Sequence, residues 1–120
     1  MKLALGTAQF GLDYGVANTT GQIPVEVGNA ILKVARSLGV SVLDTAIAYG
    51  NSETVLGSIG ITGFDIITKL PEHPDDEADL GTWVDTQVEQ SFGRLGVDAA
   101  YGVLLHRPGQ LLDANGNRLF

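Results

Sequence analysis

Short apolar runs alternate along this chain with longer stretches in which apolar residues recur every three or four positions. Residues 3–5 begin a first strand, and a long Gly-rich loop follows through Gly6, Gly11, Gly15 and Gly21. Pro24 can open a helix at its first turn, where a missing N–H costs nothing. Val27, Ala30, Ile31, Val34, Ala35 and Leu38 then recur at helical spacing, and Gly39 is placed to end that helix. Residues 40–43 read as a second strand, β-branched and nearly all apolar. A short helix over residues 53–59, preceded by Ser52, comes next, then a third strand over 64–68 that ends at Lys69. Pro71 and Pro74 punctuate the following loop. Residues 80–95 read as a longer helix with Trp83, Val84, Val88, Phe92 and Leu95 on one side. A fourth strand over 101–105 is stopped by Pro108.

Strands and helices in strict alternation predict an α/β fold with a parallel sheet and right-handed crossovers. Strands that are apolar on both sides predict cover on both faces. A doubly wound nucleotide fold would carry a tight G-x-G-x-x-G turn after its first strand, and the glycines here are too widely spaced for one. The pattern therefore favours a parallel (β/α)8 TIM-barrel type. Such a barrel takes about 250 residues, or roughly 200 at the low end. This chain has 120 and supplies about the first four β/α units, a half barrel forming one domain over residues 1–120 with no second domain. Residues 117–120 read as the first turn of a fourth helix, and a single turn is not stable by itself. The expectation is half of a larger barrel.

Composition narrows the class. Hydrophobic residues make up 44% and charged residues 18%, which excludes a disordered chain. A formal charge of -7 and a pI near 4.5 argue against nucleic acid as a partner. Glu72, Asp75, Asp76, Glu77 and Asp79 form an acidic run that reads as a solvated loop leading into a helix. The absence of cysteine excludes disulfides, thiolate metal sites and cysteine nucleophiles, and suits a reducing cytoplasm. The apolar part of the N-terminus is too short for a signal peptide. No apolar run approaches the roughly 18 residues of a membrane helix. The expected location is the cytoplasm, without membrane contact.

Four residues carry candidate chemistry: Asp44 and Tyr49 after the second strand, Lys69 at the end of the third, and His106 at the end of the fourth. Each has an ordinary reading by itself. Asp44 could form a turn, Tyr49 could be a packed aromatic, Lys69 a surface charge and His106 a strand cap. Joint placement at successive strand ends changes the weighting, because in a barrel those ends share the face where active sites sit. Metal catalysis is not expected, since His73 and His106 are the only histidines and no ligand spacing occurs. His73 reads as a loop residue. Ser52 and Glu53 read as a capping pair for the short helix.

The segments LGTAQFG at 5–11, LDTAIAYGNSETVLG at 43–57, IITK at 66–69 and LLHRP at 104–108 resemble the aldo-keto reductases. These are barrel oxidoreductases that use a nicotinamide cofactor, and the resemblance covers the first half of their barrel. It implies Asp44, Tyr49, Lys69 and His106 as catalytic residues, with Gly6, Thr7 and Asp44 against the nicotinamide of NADPH. The implied reaction is reversible reduction of an aldehyde or ketone to an alcohol.

Physically, charge builds on the carbonyl oxygen as hydride arrives, and a donor must meet it. Tyr49 is the natural donor, although a free phenol titrates near about 10. An adjacent Lys69 ammonium favours the phenolate, Asp44 keeps Lys69 charged, and His106 orients the substrate oxygen or relays the proton. Most of the family's dinucleotide grip comes from the second half of the barrel. The resemblance thus implies weak NADPH binding by this chain alone, and self-association or pairing with a missing C-terminal half. Phe10 and Tyr14 in the first loop are candidate substrate contacts. The alternatives are a reductase-like binding or regulatory module without turnover, and a Schiff-base lyase using Lys69.

Overall fold

A computed structural model describes residues 3–74, 78–113 and 116–118. Asp75, Asp76 and Glu77 of the acidic run, and Leu119 and Phe120 of the expected last turn, lie outside the described residues. The elements run β1 (Ala4–Gly6), α1 (Ala8–Gly11), α2 (Val25–Ser37), β2 (Val42–Asp44), α3 (Ser52–Ile59), β3 (Asp65–Leu70), α4 (Leu80–Leu95) and β4 (Gly102–Leu105). Two 3₁₀ turns follow, Pro108–Leu112 and Gly116–Arg118. The strands form one sheet in the order β1-β2-β3-β4, every neighbouring pair parallel. This is the expected α/β architecture.

Local chemistry accounts for the element ends. Asp79 caps α4, its carboxylate accepting from the Thr82 backbone N–H at 3.1 Å and the Thr82 hydroxyl at 2.8 Å. Gly96 ends the same helix in the left-handed region at φ 69°, returning its N–H to Phe92 O. Pro24 stands just outside α2 as its N-cap, with extended backbone, not inside its first turn. The short α1 was not expected. It lies inside the Gly-rich loop and is too short to show a helical rhythm.

Helices cover one face of the sheet, with α3 in the middle of the layer touching α1, α2 and α4. The core between them gathers Phe10, Leu32, Leu43, Val55, Leu56, Ile66 and Leu95. Register separates the two faces, because side chains alternate along a strand. Leu5, Leu43 and Ile66 are paired neighbours that face the helices. Gly6, Asp44 and Ile67 are paired neighbours on the other face, and Lys69 and Leu104 continue it.

Cover on both faces was expected, and two features depart from it. On the face away from the helices Ile67 is half-buried and Leu104 is 51% exposed. The α2 stripe also differs. Gly28, Leu32 and Ala35 are its buried residues, whereas Val27, Val34 and Leu38 are exposed. The helix is apolar on two adjoining sides, and periodicity alone does not say which one meets the core. The second side joins Leu3, Leu5 and Val40 in an apolar groove of about 280 Å³ beside β1, which pairs on one edge only. Among the described residues no helix is long and apolar enough to cross a membrane.

Candidate active site

Asp44 is the last residue of β2, Lys69 the penultimate residue of β3, and His106 follows β4 directly. Parallel pairing brings these ends to one rim of the sheet. The Lys69 ammonium donates to Asp44 Oδ1 at 2.6 Å and to the Thr45 carbonyl at 2.8 Å. An ammonium with three donors is well matched to two such acceptors. The pair is partly shielded, with side chains 16% (Lys69) and 36% (Asp44) exposed.

Tyr49 reaches the same place from the turn after β2. That turn is held by Tyr49 N–H donating to Ala46 O and by Ile47 N–H donating to Lys69 O. Lys69 Nζ lies 5.3 Å from the centre of the Tyr49 ring, within cation–π range. The His106 ring meets Tyr49 edge-on, with centroids 5.5 Å apart and planes at 86°. All four expected residues are thus brought together, with the Tyr49 ring within contact range of both the ammonium and the imidazole.

Gly6 and Thr7 border the site on its β1 side. A cleft of about 340 Å³ is lined there by Gly6, Thr7, Gln9, Tyr14, Asp44 and Tyr49, among others. A Cβ built on Gly6 meets nothing within 4 Å, so the backbone at this strand end is open to a flat ligand. Thr7 has a different part. It is fully buried, and both its N–H and its hydroxyl donate to Asp44 O at 3.0 Å. Of the two loop aromatics, Phe10 is in the core, while Tyr14 is 59% exposed and lines the cleft. His73 is a loop residue as expected but is buried, with its N–H on Gln110 Oε1 and its ring edge-on to Trp83.

Ser52 and Glu53 do not cap α3. Asn51 occupies the cap position, and no side-chain cap bond forms. Ser52 is fully buried and donates to Thr7 O at 2.9 Å, with the hydroxyls of Thr7 and Thr45 also within reach. Glu53 is 2% exposed. Its Oε1 accepts from Thr68 at 2.7 Å and Ser91 at 2.6 Å, and its Oε2 pairs with Arg94 at 2.8 Å. Apart from Thr45, seven residues before Ser52, these partners are 15 to 45 residues away in sequence, out of reach of a local reading.

Two glycines complete the frame. Gly50 is at φ 55°, and a Cβ on Gly11 would overlap Tyr49 O and Ser52 N. The turn that carries Tyr49 therefore rests directly on the backbone of α1. Among the described residues no group of three or more acidic or histidine side chains is arranged to hold a metal ion.

Comparison with known proteins identifies the family. The sequence pattern of the aldo/keto reductase family matches residues 2–114. Two solved structures from Pseudomonas aeruginosa described as aldo-keto reductases are similar over most of the chain. The first is 31% identical, with TM-score 0.75, over 96% of this chain and 48% of its own. The second is 32% identical, with TM-score 0.72, over 92% and 42%. An aldose reductase from Giardia lamblia shares the fold, with TM-score 0.61 at 20% identity, over 89% of this chain and 33% of its own. Among curated protein sequences there is no significant match. The chain spans about half the length of the Pseudomonas structures it resembles. With its own site motifs and a family match across nearly its whole length, this chain belongs to the aldo-keto reductase family.

Proposed function

We propose that this chain carries the proton-transfer part of an NADPH-dependent reductase that converts an aldehyde or ketone to an alcohol. The observation that carries the reading is the contact set of Lys69, with Asp44 at 2.6 Å and the Tyr49 ring at 5.3 Å, at the rim where His106 also sits. A reduced nicotinamide, when bound, supplies hydride to the carbonyl carbon. Gly6, with open space above it, and Asp44 border the cleft that would receive its ring. The residues present fit that ring, whereas the rest of a dinucleotide would need further residues to hold it.

Tyr49 donates its phenolic proton to the carbonyl oxygen as negative charge gathers there. Lys69 supports that transfer by placing positive charge beside the ring, and Asp44 together with Thr45 O fixes where the ammonium stands. His106, edge-on to the Tyr49 ring, holds the position of the reacting oxygen. Tyr14, on the open wall of the cleft, contacts the substrate.

The Schiff-base alternative requires a free amine at Lys69, and the two acceptors on its Nζ weigh against that. The exposed apolar groove beside β1 and the exposed Leu104 on β4 support pairing with another copy or with a complementary half barrel. The functional test is NADPH consumption with an aromatic aldehyde, with the product identified. Formation of the alcohol supports the reading. A borohydride-trapped adduct at Lys69 without NADPH consumption would replace it.

A further inference from the structure

Three buried threonines flank the residues at the strand ends. Thr7 follows Gly6, Thr45 follows Asp44, and Thr68 precedes Lys69. Their exposures are 0%, 0% and 1%, and all three touch the same dipeptide at the start of α3. Ser52 reaches Thr7 and Thr45, and Glu53 reaches Thr68. We infer that Ser52 and Glu53 are positioning residues for the Lys69–Asp44 pair, acting through Thr45 and Thr68.

Neighbouring side chains on a strand point to opposite faces, so a contact that fixes Thr68 on the helix side also fixes the direction of Lys69 on the other. Glu53 holds Thr68 by a 2.7 Å hydrogen bond and is itself held by Ser91 and Arg94 of α4. Strand β3 is thereby tied to the helix layer one residue before its ammonium. Ser52 does the matching work at β2. Thr45 lies beside its hydroxyl, and the carbonyl of that same Thr45 is the second acceptor of Lys69 Nζ. Both partners of the ammonium are thus referred to one point at the start of α3.

Stability alone is a weak reason for this cluster. A buried carboxylate–guanidinium pair often contributes no more than apolar residues of the same volume would. Accurate placement is a better one, since catalytic groups must be held to within about 0.5 Å by their supporting residues.

Part of this inference rests on the proposed reductase site, and its test is chosen to separate the two. The readout is hydrogen exchange of the Lys69 ammonium, followed by heteronuclear NMR in the full chain and assigned by its loss in Lys69→Arg. In the unaltered chain the Lys69 resonance is protected. In Thr68→Val, which keeps the shape and removes the hydroxyl, exchange quickens about tenfold, the factor that corresponds to losing one charge-assisted hydrogen bond. Thr68→Ser restores protection. Ser52→Ala and Glu53→Gln act in the same direction as Thr68→Val, and they decide the matter if that variant does not fold. A lower melting temperature with unchanged Lys69 exchange would make the cluster structural only and overturn the inference, as would an unprotected Lys69 in the unaltered chain. Turnover is not part of this readout. A responsive Lys69 in a protein with no carbonyl reduction would sink the reductase reading and leave the positioning role standing.

Discussion

Tyr49 owes its place to residues that carry no chemistry. Its carbonyl and the Ser52 N–H lie where a Cβ on Gly11 would be, and Gly50 beside it needs a positive φ. Gly11→Ala forces two backbones apart, because the clash is with main-chain atoms and not with a flexible side chain. We expect a loss of about 1–3 kcal/mol, the usual cost of overpacking, measured by thermal or denaturant unfolding. A variant as stable as the parent would contradict the close approach of α1 to the Tyr49 turn. The four candidate residues were legible in sequence because Asp44, Lys69 and His106 each follow an apolar run and Tyr49 comes five residues after Asp44, and the parallel sheet does the rest. Ser52 and Glu53 were not. Their spacing suits a helix start, while their true partners lie directly after β1 and β2 and on β3 and α4. A glutamate buried on the helix side, with Ser91 and Arg94 one turn apart on a later helix, was the only available signal.

At the scale of elements, the clearest rhythms gave the clearest bounds. The helix read over residues 80–95 agrees with α4, whose ends are set by Asp79 and Gly96, and the one read over 53–59 agrees with α3 to within one residue. All four strands begin one or two residues later than their apolar runs, and the first three also reach one or two residues further, while β4 ends where its run does. Runs of hydrophobicity do not mark where a ladder ends. The inward side of α2 was misread because Val27, Val34 and Leu38 are as apolar as Leu32 and Ala35.

The cap of α4 gives a prediction with a definite sign. Hydrogen bonds from the Thr82 backbone and side chain hold the Asp79 carboxyl below its ordinary value of 3.8. A carboxyl lowered on folding contributes stability that is present above the unfolded value and is lost as pH falls through the folded one. Asp79→Ala should therefore melt below the parent at neutral pH, and the gap should close as the pH drops from about 4 downward. Asp79→Asn keeps the capping oxygen and loses that acid dependence. A gap between parent and Asp79→Ala that stays constant with pH would exclude this role.

For the whole molecule, the sheet is covered on one face and open at both edges among the described residues. The radius of gyration is 15.3 Å, larger than the roughly 13.6 Å expected of a compact domain of this length. Leu3, Val34 and Leu38 are exposed at the β1 edge, and Leu104 on β4. Apolar surface of this kind beside an unpaired strand favours association. Sedimentation velocity on the 120-residue polypeptide should show a mass that rises with concentration above 12.6 kDa. A single sharp monomer at every concentration would contradict it. Adding the remaining half of a Pseudomonas relative should suppress the self-association by covering the same edges.

That completed barrel also allows the central claim to be measured. NADPH consumption with an aromatic aldehyde, compared between the parent and Tyr49→Phe, isolates the phenolic proton and leaves the ring contacts with Lys69 and His106 in place. The account predicts a loss of about a hundred- to ten-thousand-fold in turnover with little change in NADPH affinity. Full turnover in the Tyr49→Phe protein would contradict it.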